Sequence, residues 1–194
     1  MSAATTVDAT PGSTDSGANP TLFRTVLGSF CTGVAVIATV EDGEPVGFAC
    51  QSFSALSLDP PLILFCPSRN SRAWHAIERV GRFTVNVLAE DQLEVSSTFG
   101  RRGQDKFAGT RWTRSPGGAP VLDGVLAWID CEVADVLDGG DHHIVTGRVT
   151  GLATTGPDSP LLFYRGTYAT VDPAGTNHLD PAVRSLVDRR YDWF

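Results

Sequence analysis

One continuous stretch, residues 47–72 (GFACQSFSALSLDPPLILFCPSRNSR), most constrains what this chain can fold into. It begins as an apolar strand, continues as a run of hydroxyls with one amide, and turns at Asp59-Pro60-Pro61. It then returns as a second apolar strand over 62–66 and ends where a new helix begins. We therefore expect a flat polar edge next to an anion site, which suits a ligand with a planar heteroaromatic head and a phosphate tail.

The segments on either side predict short strands joined by tight turns. In chain order, residue periodicity and turn signals predict a helix over 20–30, a strand over 32–40, a hairpin turn over 41–45, a helix over 71–80, a strand over 82–90, a short helix over 91–99 with Asp91 as its N-cap, a loop over 100–118, paired strands from 126 and over 142–153, and a last strand over 161–171. Hairpin connections with only short helices indicate a mainly β fold, a closed or split antiparallel β-barrel.

Length and composition favour one domain with a proper core. The chain has 194 residues, of which 42% are hydrophobic. Residues 1–19 are small and polar and predict a disordered lead instead of a signal peptide, so we place the domain at 20–171. Residues 172–194 form a tail with one predicted helix over 181–190. Its last aromatic residues, Tyr191, Trp193 and Phe194, are expected to contact a second copy of the chain or the chain itself.

Charge and cysteine usage exclude several classes of function. The net charge of −7 argues against nucleic acid as a partner, so any phosphate must be held locally. No apolar run approaches a membrane span. Cys31, Cys50, Cys66 and Cys131 are too far apart for a CxxC site; we expect each to be a buried reduced thiol, and the four together favour a cytoplasmic protein.

Common catalytic and nucleotide motifs are missing from the sequence. No GxGxxG follows a strand and no GxxxxGK[ST] occurs, so a Rossmann or P-loop site is not supported. There is no HExxH and no clustered Cys/His/Asp set, so we predict no metal site. No Ser-His-Asp or Cys-His pair can be assigned from spacing.

The start of the helix after the second apolar strand is the predicted anion site. Free N–H groups and the flanking Arg69 and Arg72 favour phosphate at residues 68–72. The alternative is that Asn70 or Ser71 only caps the helix. Lys106, the one lysine of the chain, is either a further phosphate contact or a solvated charge.

The predicted polar edge runs over residues 49–53. Small side chains there would let a ring approach the backbone N–H groups, whereas the alternative is an ordinary strand end whose serines bond nearby backbone. Gln51 has no role in that alternative. Among the histidines, His142 follows a Gly-Gly-Asp turn and is the one placed for chemistry; His143 must point to the opposite face of the strand.

Six segments together resemble a known family. They are TGVAVIAT at 32–39, GFACQSFSALSLDPPLILFC at 47–66, NSRAW at 70–74, DKF at 105–107, GDHHIVTGRV at 140–149 and PLLFYRGTY at 160–168. In this order they resemble the small flavin reductases that serve two-component flavin-dependent monooxygenases. The resemblance covers about residues 23–171.

The resemblance implies a homodimeric FMN-binding split barrel that uses NADH to reduce FAD or FMN and releases the reduced flavin to an oxygenase. By the same resemblance, the flavin ring would lie against Ala49, Cys50, Gln51 and Ser52, with Thr32, Gly33 and Val34 nearby and Asn86 close to the ring. The phosphate region would be held by Ser68, Ser71, Arg72, Lys106 and Phe107, and His142 would face the nicotinamide as the catalytic residue. Two alternatives are a split-barrel protein that stores or senses flavin without turnover, and an oxidase of the pyridoxamine-phosphate type.

Overall fold

The computed structural model describes residues 19–103, 105–155 and 159–171. Within these residues the helices are α1 (Pro20–Leu27), α2 (Arg72–Val80) and α3 (Leu93–Gly100), and the strands are β1 (Thr32–Gly33), β2 (Ala35–Glu41), β3 (Glu44–Cys50), β4 (Ser54–Leu58), β5 (Pro61–Phe65), β6 (Arg82–Val87), β7 (Trp112–Arg114), β8 (Pro120–Leu122), β9 (Ala127–Gly139), β10 (His142–Thr154), β11 (Leu162–Tyr164) and β12 (Thr167–Ala169).

The main sheet is an antiparallel barrel that is left open along one line. Its seven strands follow the order β3-β2-β6-β9-β10-β5-β4. The two end strands, β3 and β4, are joined by residues 51–53 alone, so the two edges of the sheet must lie close together. The Ser52 hydroxyl crosses this opening, accepting a 2.9 Å hydrogen bond from the Cys66 amide. The prediction of a mainly β, split antiparallel barrel is confirmed.

β2 is buried on both faces, as its continuous β-branched sequence predicts. Ala35 and Ile37 belong to one apolar cluster, whereas Val36 and Ala38 belong to a second one on the opposite face. This alternation follows from the two-residue period of a strand. The sheet therefore separates a barrel interior from an outer layer covered by α3 and the loop after it.

α2 is held to the barrel by Trp74 and Ile77, which are both fully buried. Trp74 meets the Phe65 ring at a centroid distance of 6.0 Å and 73°. The helix begins at the N-cap Ser71, whose hydroxyl accepts from the Trp74 amide, and ends at Gly81 in the left-handed region with φ 74°. Both ends were predicted from the sequence.

Several sequence predictions need correction. Residues 54–58, expected to be part of the polar run, form β4, because they pair with β5. The strand predicted over 32–40 divides into β1 and β2, which pair with different partners. The predicted loop over 100–118 contains β7, and the predicted last strand is a hairpin of β11 and β12 that turns at Arg165 and Gly166 with positive φ.

Two helix predictions also change. α3 begins at Leu93, and Asp91 is not its N-cap; Gln92 holds that position without a capping side-chain bond. Gln92 instead joins the Ala89 amide to the Asp123 carbonyl. α1 begins at Pro20 as predicted, but it ends at Leu27 instead of residue 30, and none of its residues is buried.

The thiols are less uniform than predicted. Cys50 and Cys131 are buried, but Cys31 is exposed and Cys66 is only half-buried, so the expectation of four buried thiols is wrong for these two. Asn19, placed in the predicted lead, accepts a hydrogen bond from the Thr21 amide and caps α1. Residues 1–18 and the predicted tail helix over 181–190 lie outside the described residues. Over the described part of the chain, no helix is both long and apolar enough to cross a membrane.

Candidate functional site

A cleft of about 1430 Å³ follows the open edge of β3. In the described residues β3 has a partner strand on one side only, and α2, the end of α3 and the loop after α3 form the other walls. Eleven of the predicted site residues line this cleft: Val34, Ala49, Cys50, Gln51, Ser52, Ser68, Ser71, Arg72, Lys106, Phe107 and His142. The structure thus brings together residues from five segments of the chain, at 34, 49–52, 68–72, 106–107 and 142.

The polar edge has backbone donors free for a ligand. In the described part of the chain, the amides of Gln51 and Ser52 donate to no protein acceptor. The Ser52 side chain is engaged with the Cys66 backbone, and the buried Cys50 thiol lies 3.3 Å from the Ser52 hydroxyl. Burial raises the pKa of Cys50, which disfavours the thiolate form of this side chain. The backbone, not the serine hydroxyl, presents donors at this edge.

The beginning of α2 forms the anion end of the cleft. The Ser71 hydroxyl caps the Trp74 amide at 3.2 Å, which confirms the capping alternative for this side chain. The amides of Arg72 and Ala73 have no acceptor in residues 19–103, 105–155 and 159–171. The exposed Arg72 guanidinium donates one hydrogen bond, to the Gly103 carbonyl at 3.1 Å. Free amides and an available guanidinium together favour an anion at this end.

Lys106 is held against the same end of the cleft. Its Nζ donates to the Phe99 carbonyl at 2.7 Å, and the neighbouring Phe107 packs edge-on against the Phe99 ring at 4.9 Å. Burial, and secondarily the charge of Arg72, lowers the pKa of Lys106. The alternative of a freely solvated lysine is therefore wrong. Because desolvation and a like charge both disfavour its ammonium form, an anion bound here would relieve that cost.

His142 is brought to the cleft by the β9–β10 hairpin. Residues 67–69 run alongside the hairpin. The backbones of Ser68 and His142 form an isolated antiparallel β-bridge, and the His143 amide donates to the Pro67 carbonyl at 2.9 Å. The His142 Nδ1 lies 2.7 Å from Asp141 Oδ1, and this contact lowers the pKa of Asp141. With Nδ1 engaged, Nε2 is the ring nitrogen left for a ligand. His143 points the other way and its ring lies 5.8 Å from that of Trp74.

Three predicted site residues do not line the cleft: Thr32, Gly33 and Asn86. Asn86 is fully buried and its amide is completely engaged. It donates to the Val36 and Pro120 carbonyls and accepts from the Leu122 amide. Asn86 therefore joins β2 and β6 to β8, and its role in the structure is to hold these strands together.

Arg69, expected beside Arg72 at the phosphate, is also used elsewhere. Its guanidinium bonds the Gly140 carbonyl and the Asp138 carboxylate, each at 2.6 Å. Of the two arginines predicted for the anion end of the cleft, only Arg72 lines it.

Sequence reasoning missed the wall that α3 contributes. Ser96, Phe99 and Tyr168 line the cleft, and the hydroxyls of Ser96 and Tyr168 are 2.9 Å apart. The basic pair Arg101 and Arg102 also lines the cleft, and it is the sequence feature that could have indicated a ligand contact in this region. In the described residues no group of three or more His, Cys, Asp or Glu side chains could hold a metal ion.

The fold and the cleft define a class: a split β-barrel protein with an extended cleft along the open edge of β3. Residues 27–172 match the family described as flavin reductase like domain. The chain belongs to this family, which confirms the resemblance found in the sequence.

Individual relatives agree with this assignment. The chain is 59% identical over 158 residues to the reductase subunit HsaB of a flavin-dependent monooxygenase from Rhodococcus jostii, covering 81% of each chain. Among solved structures it is similar to nitrilotriacetate monooxygenase component B from Mycobacterium thermoresistibile, with 58% identity, a TM-score of 0.79, and coverage of 80% of this chain and 88% of the other. It is also similar to the NADH:FAD oxidoreductase SgcE6 from Streptomyces globisporus, solved with NAD and FAD fragments, with 29% identity, a TM-score of 0.77, and coverage of 84% and 96%.

Proposed function

We propose that this protein uses NADH to reduce free flavin, FAD or FMN, and releases the reduced flavin to a partner flavin-dependent monooxygenase. One observation carries the proposal: the free amides of Gln51 and Ser52, the anion end at α2 and His142 lie along one cleft. The relatives support the partner, since HsaB is a reductase subunit of a monooxygenase. The similar structure solved with NAD and FAD fragments supports the choice of NADH and favours FAD.

The residues of the cleft bind and orient, while the bound molecules supply the reactivity. When bound, NADH would supply the hydride from nicotinamide C4 and flavin N5 would accept it. The amides of Gln51 and Ser52 would donate to the polar edge of the ring and stabilise the negative charge that develops there on reduction. The Arg72 guanidinium and the first amides of α2 would hold the phosphate. His142, with Nδ1 bonded to Asp141, would present Nε2 to the nicotinamide.

Anaerobic mixing tests the proposal directly. When pure protein is mixed with NADH and excess FAD without oxygen, the absorbance of both should fall over many turnovers, and the losses should correspond to equal molar amounts of NADH and oxidised flavin. The same mixture with FMN extends the test. Persistence of both absorbances with both flavins would contradict the proposal. A yellow protein that binds flavin tightly but oxidises no NADH would support the storage or sensing alternative instead.

We also propose that two copies of the chain form the working protein. Within the part of the chain that the structure describes, the apolar face of α1 is uncovered: Leu22, Phe23, Val26 and Leu27 are all more than 50% exposed. Phe30, which follows the helix, is 77% exposed. Exposed apolar surface of this extent is typical of a subunit contact. Light scattering should give twice the 20.6 kDa of one chain, and a value of one chain mass at micromolar concentration would refute the dimer.

We propose that this protein works in the cytoplasm. All four cysteines are free thiols, as expected of a protein kept under reducing conditions, and NADH is supplied there. A fluorescent fusion recovered in the exported fraction of its host would contradict this proposal.

A further inference from the structure

Arg69 lies outside the cleft, yet it connects two of the cleft's walls. It is three residues before α2, in the segment that ends at the anion site, and it is not one of the lining residues. Its guanidinium reaches across to the β9–β10 hairpin, where Nε donates to the Gly140 carbonyl and Nη2 to the Asp138 carboxylate, each at 2.6 Å. The two nitrogens therefore hold two different acceptors of one turn.

The backbone strengthens the same connection. The Arg69 amide donates to the Asp141 carbonyl at 3.1 Å, and Asp138 also accepts from the Gly140 amide at 3.0 Å. Gly140 has φ 80°, in the left-handed region that glycine adopts in tight turns without steric cost. The turn that Arg69 fastens is the turn that precedes His142.

We propose that Arg69 is a positioning residue that sets His142 at a fixed place relative to the ligand held at the start of α2. The inference rests on the proposed function, because it assigns His142 to the nicotinamide. Arg69 touches neither ligand; it acts through the hairpin. A planar guanidinium fork can bond the Gly140 carbonyl and the Asp138 carboxylate together, whereas the single ammonium of lysine lacks that fork.

Loss of Arg69 should affect the flavin Kd and the KM for NADH differently. Loss of Arg69 leaves the free amides of α2 and the Arg72 guanidinium in place, so flavin affinity should change by less than about twofold. His142 would then sample positions away from the nicotinamide, and the KM for NADH should rise by about five- to tenfold, the range expected when a partly exposed charge-assisted pair is lost. Arg69→Lys should fall between wild type and Arg69→Ala.

The experiment compares wild type, Arg69→Ala, His142→Ala and the double variant. For each, the KM for NADH comes from steady-state flavin reduction, the flavin Kd from fluorescence quenching, and Tm from thermal unfolding. The expected result is that Arg69→Ala raises the KM for NADH in the wild-type background and adds less than about twofold in the His142→Ala background, since the two residues act as a unit. Asp138→Asn, which keeps an oxygen acceptor but no charge, should shift the same KM in the same direction and by less.

Arg82→Ala is the matched control. Arg82 forms a comparably exposed ion pair with Glu132 on the barrel, at 3.5 Å, and does not line the cleft. Its removal should leave the KM for NADH unchanged, which separates a local effect from a general loss of positive charge.

Three results would overturn the inference: an unchanged KM for NADH in Arg69→Ala, an equal rise in flavin Kd, or a full further rise when Arg69→Ala is added to His142→Ala. The last would mean that the arginine attracts the phosphates of NADH by its charge. If Arg69→Ala does not fold, Asp138→Asn decides by the same criteria. Wild type that reduces no flavin would refute the proposed function itself, a separate outcome.

Discussion

Replacing Arg72 by alanine tests the anion end of the cleft most sharply. Arg72 is exposed and makes one hydrogen bond, to the Gly103 carbonyl, so its loss should change the free energy of unfolding by less than about 0.5 kcal/mol. A charge-assisted hydrogen bond to a phosphate contributes about 1.5–3 kcal/mol, and exposure to solvent places Arg72 at the lower end. We therefore expect the Kd for FMN to rise about tenfold.

A flavin without phosphate provides the second comparison in this test. Riboflavin has the same ring as FMN and no phosphate, so Arg72→Ala should leave its Kd within about twofold of wild type. Both constants can be measured by quenching of flavin fluorescence at one fixed ionic strength, with Arg82→Ala as a control outside the cleft. If FMN and riboflavin weaken equally, or if FMN binding does not change, then Arg72 does not hold the phosphate and the assignment of this end of the cleft is wrong.

Three further predictions concern His142, Asn86 and the cysteines. His142→Ala should raise the KM for NADH more than the flavin Kd in steady-state and binding assays, and an unchanged KM would remove this histidine from the site. Asn86→Ala should lower the free energy of unfolding in urea by about 2–4 kcal/mol because it removes three buried hydrogen bonds to strand backbone; a change under 1 kcal/mol would contradict its structural role. Cys31 should react with a thiol reagent at pH 8 while Cys131, whose pKa burial raises to about 12, stays unmodified in the folded protein, and rapid modification of Cys131 would show that its strand is open.

Local patterns predicted most of the fold. The β-branched run of β2, the apolar face and both ends of α2, and the turn at Gly139 and Gly140 each carry a signal within a few residues. β4 was missed because its serines resemble a polar connection and its strand character comes from pairing with β5. A single chain segment cannot show such a partner.

For the site, too, some residues could be predicted from local sequence and others could not. The edge at Gln51 and Ser52, the start of α2 and His142, each marked by a recognisable local sequence, all line the cleft. Arg69 was assigned to phosphate because it is next to the anion site in sequence, but its charge partner, Asp138, is 69 residues away. The family resemblance placed Asn86 near the flavin ring. In the folded chain, its side-chain amide instead bonds the Val36 and Pro120 carbonyls and the Leu122 amide. Long-range pairing decides which polar side chains remain free for a ligand.

A crystal structure with FAD bound tests the central claim most directly. In this structure the polar edge of the ring should lie within hydrogen-bond distance of the Gln51 and Ser52 amides, and phosphate oxygens should lie at the Arg72 and Ala73 amides. A flavin ring bound away from residues 49–52, or these amides donating to other protein groups in the complex, would contradict it.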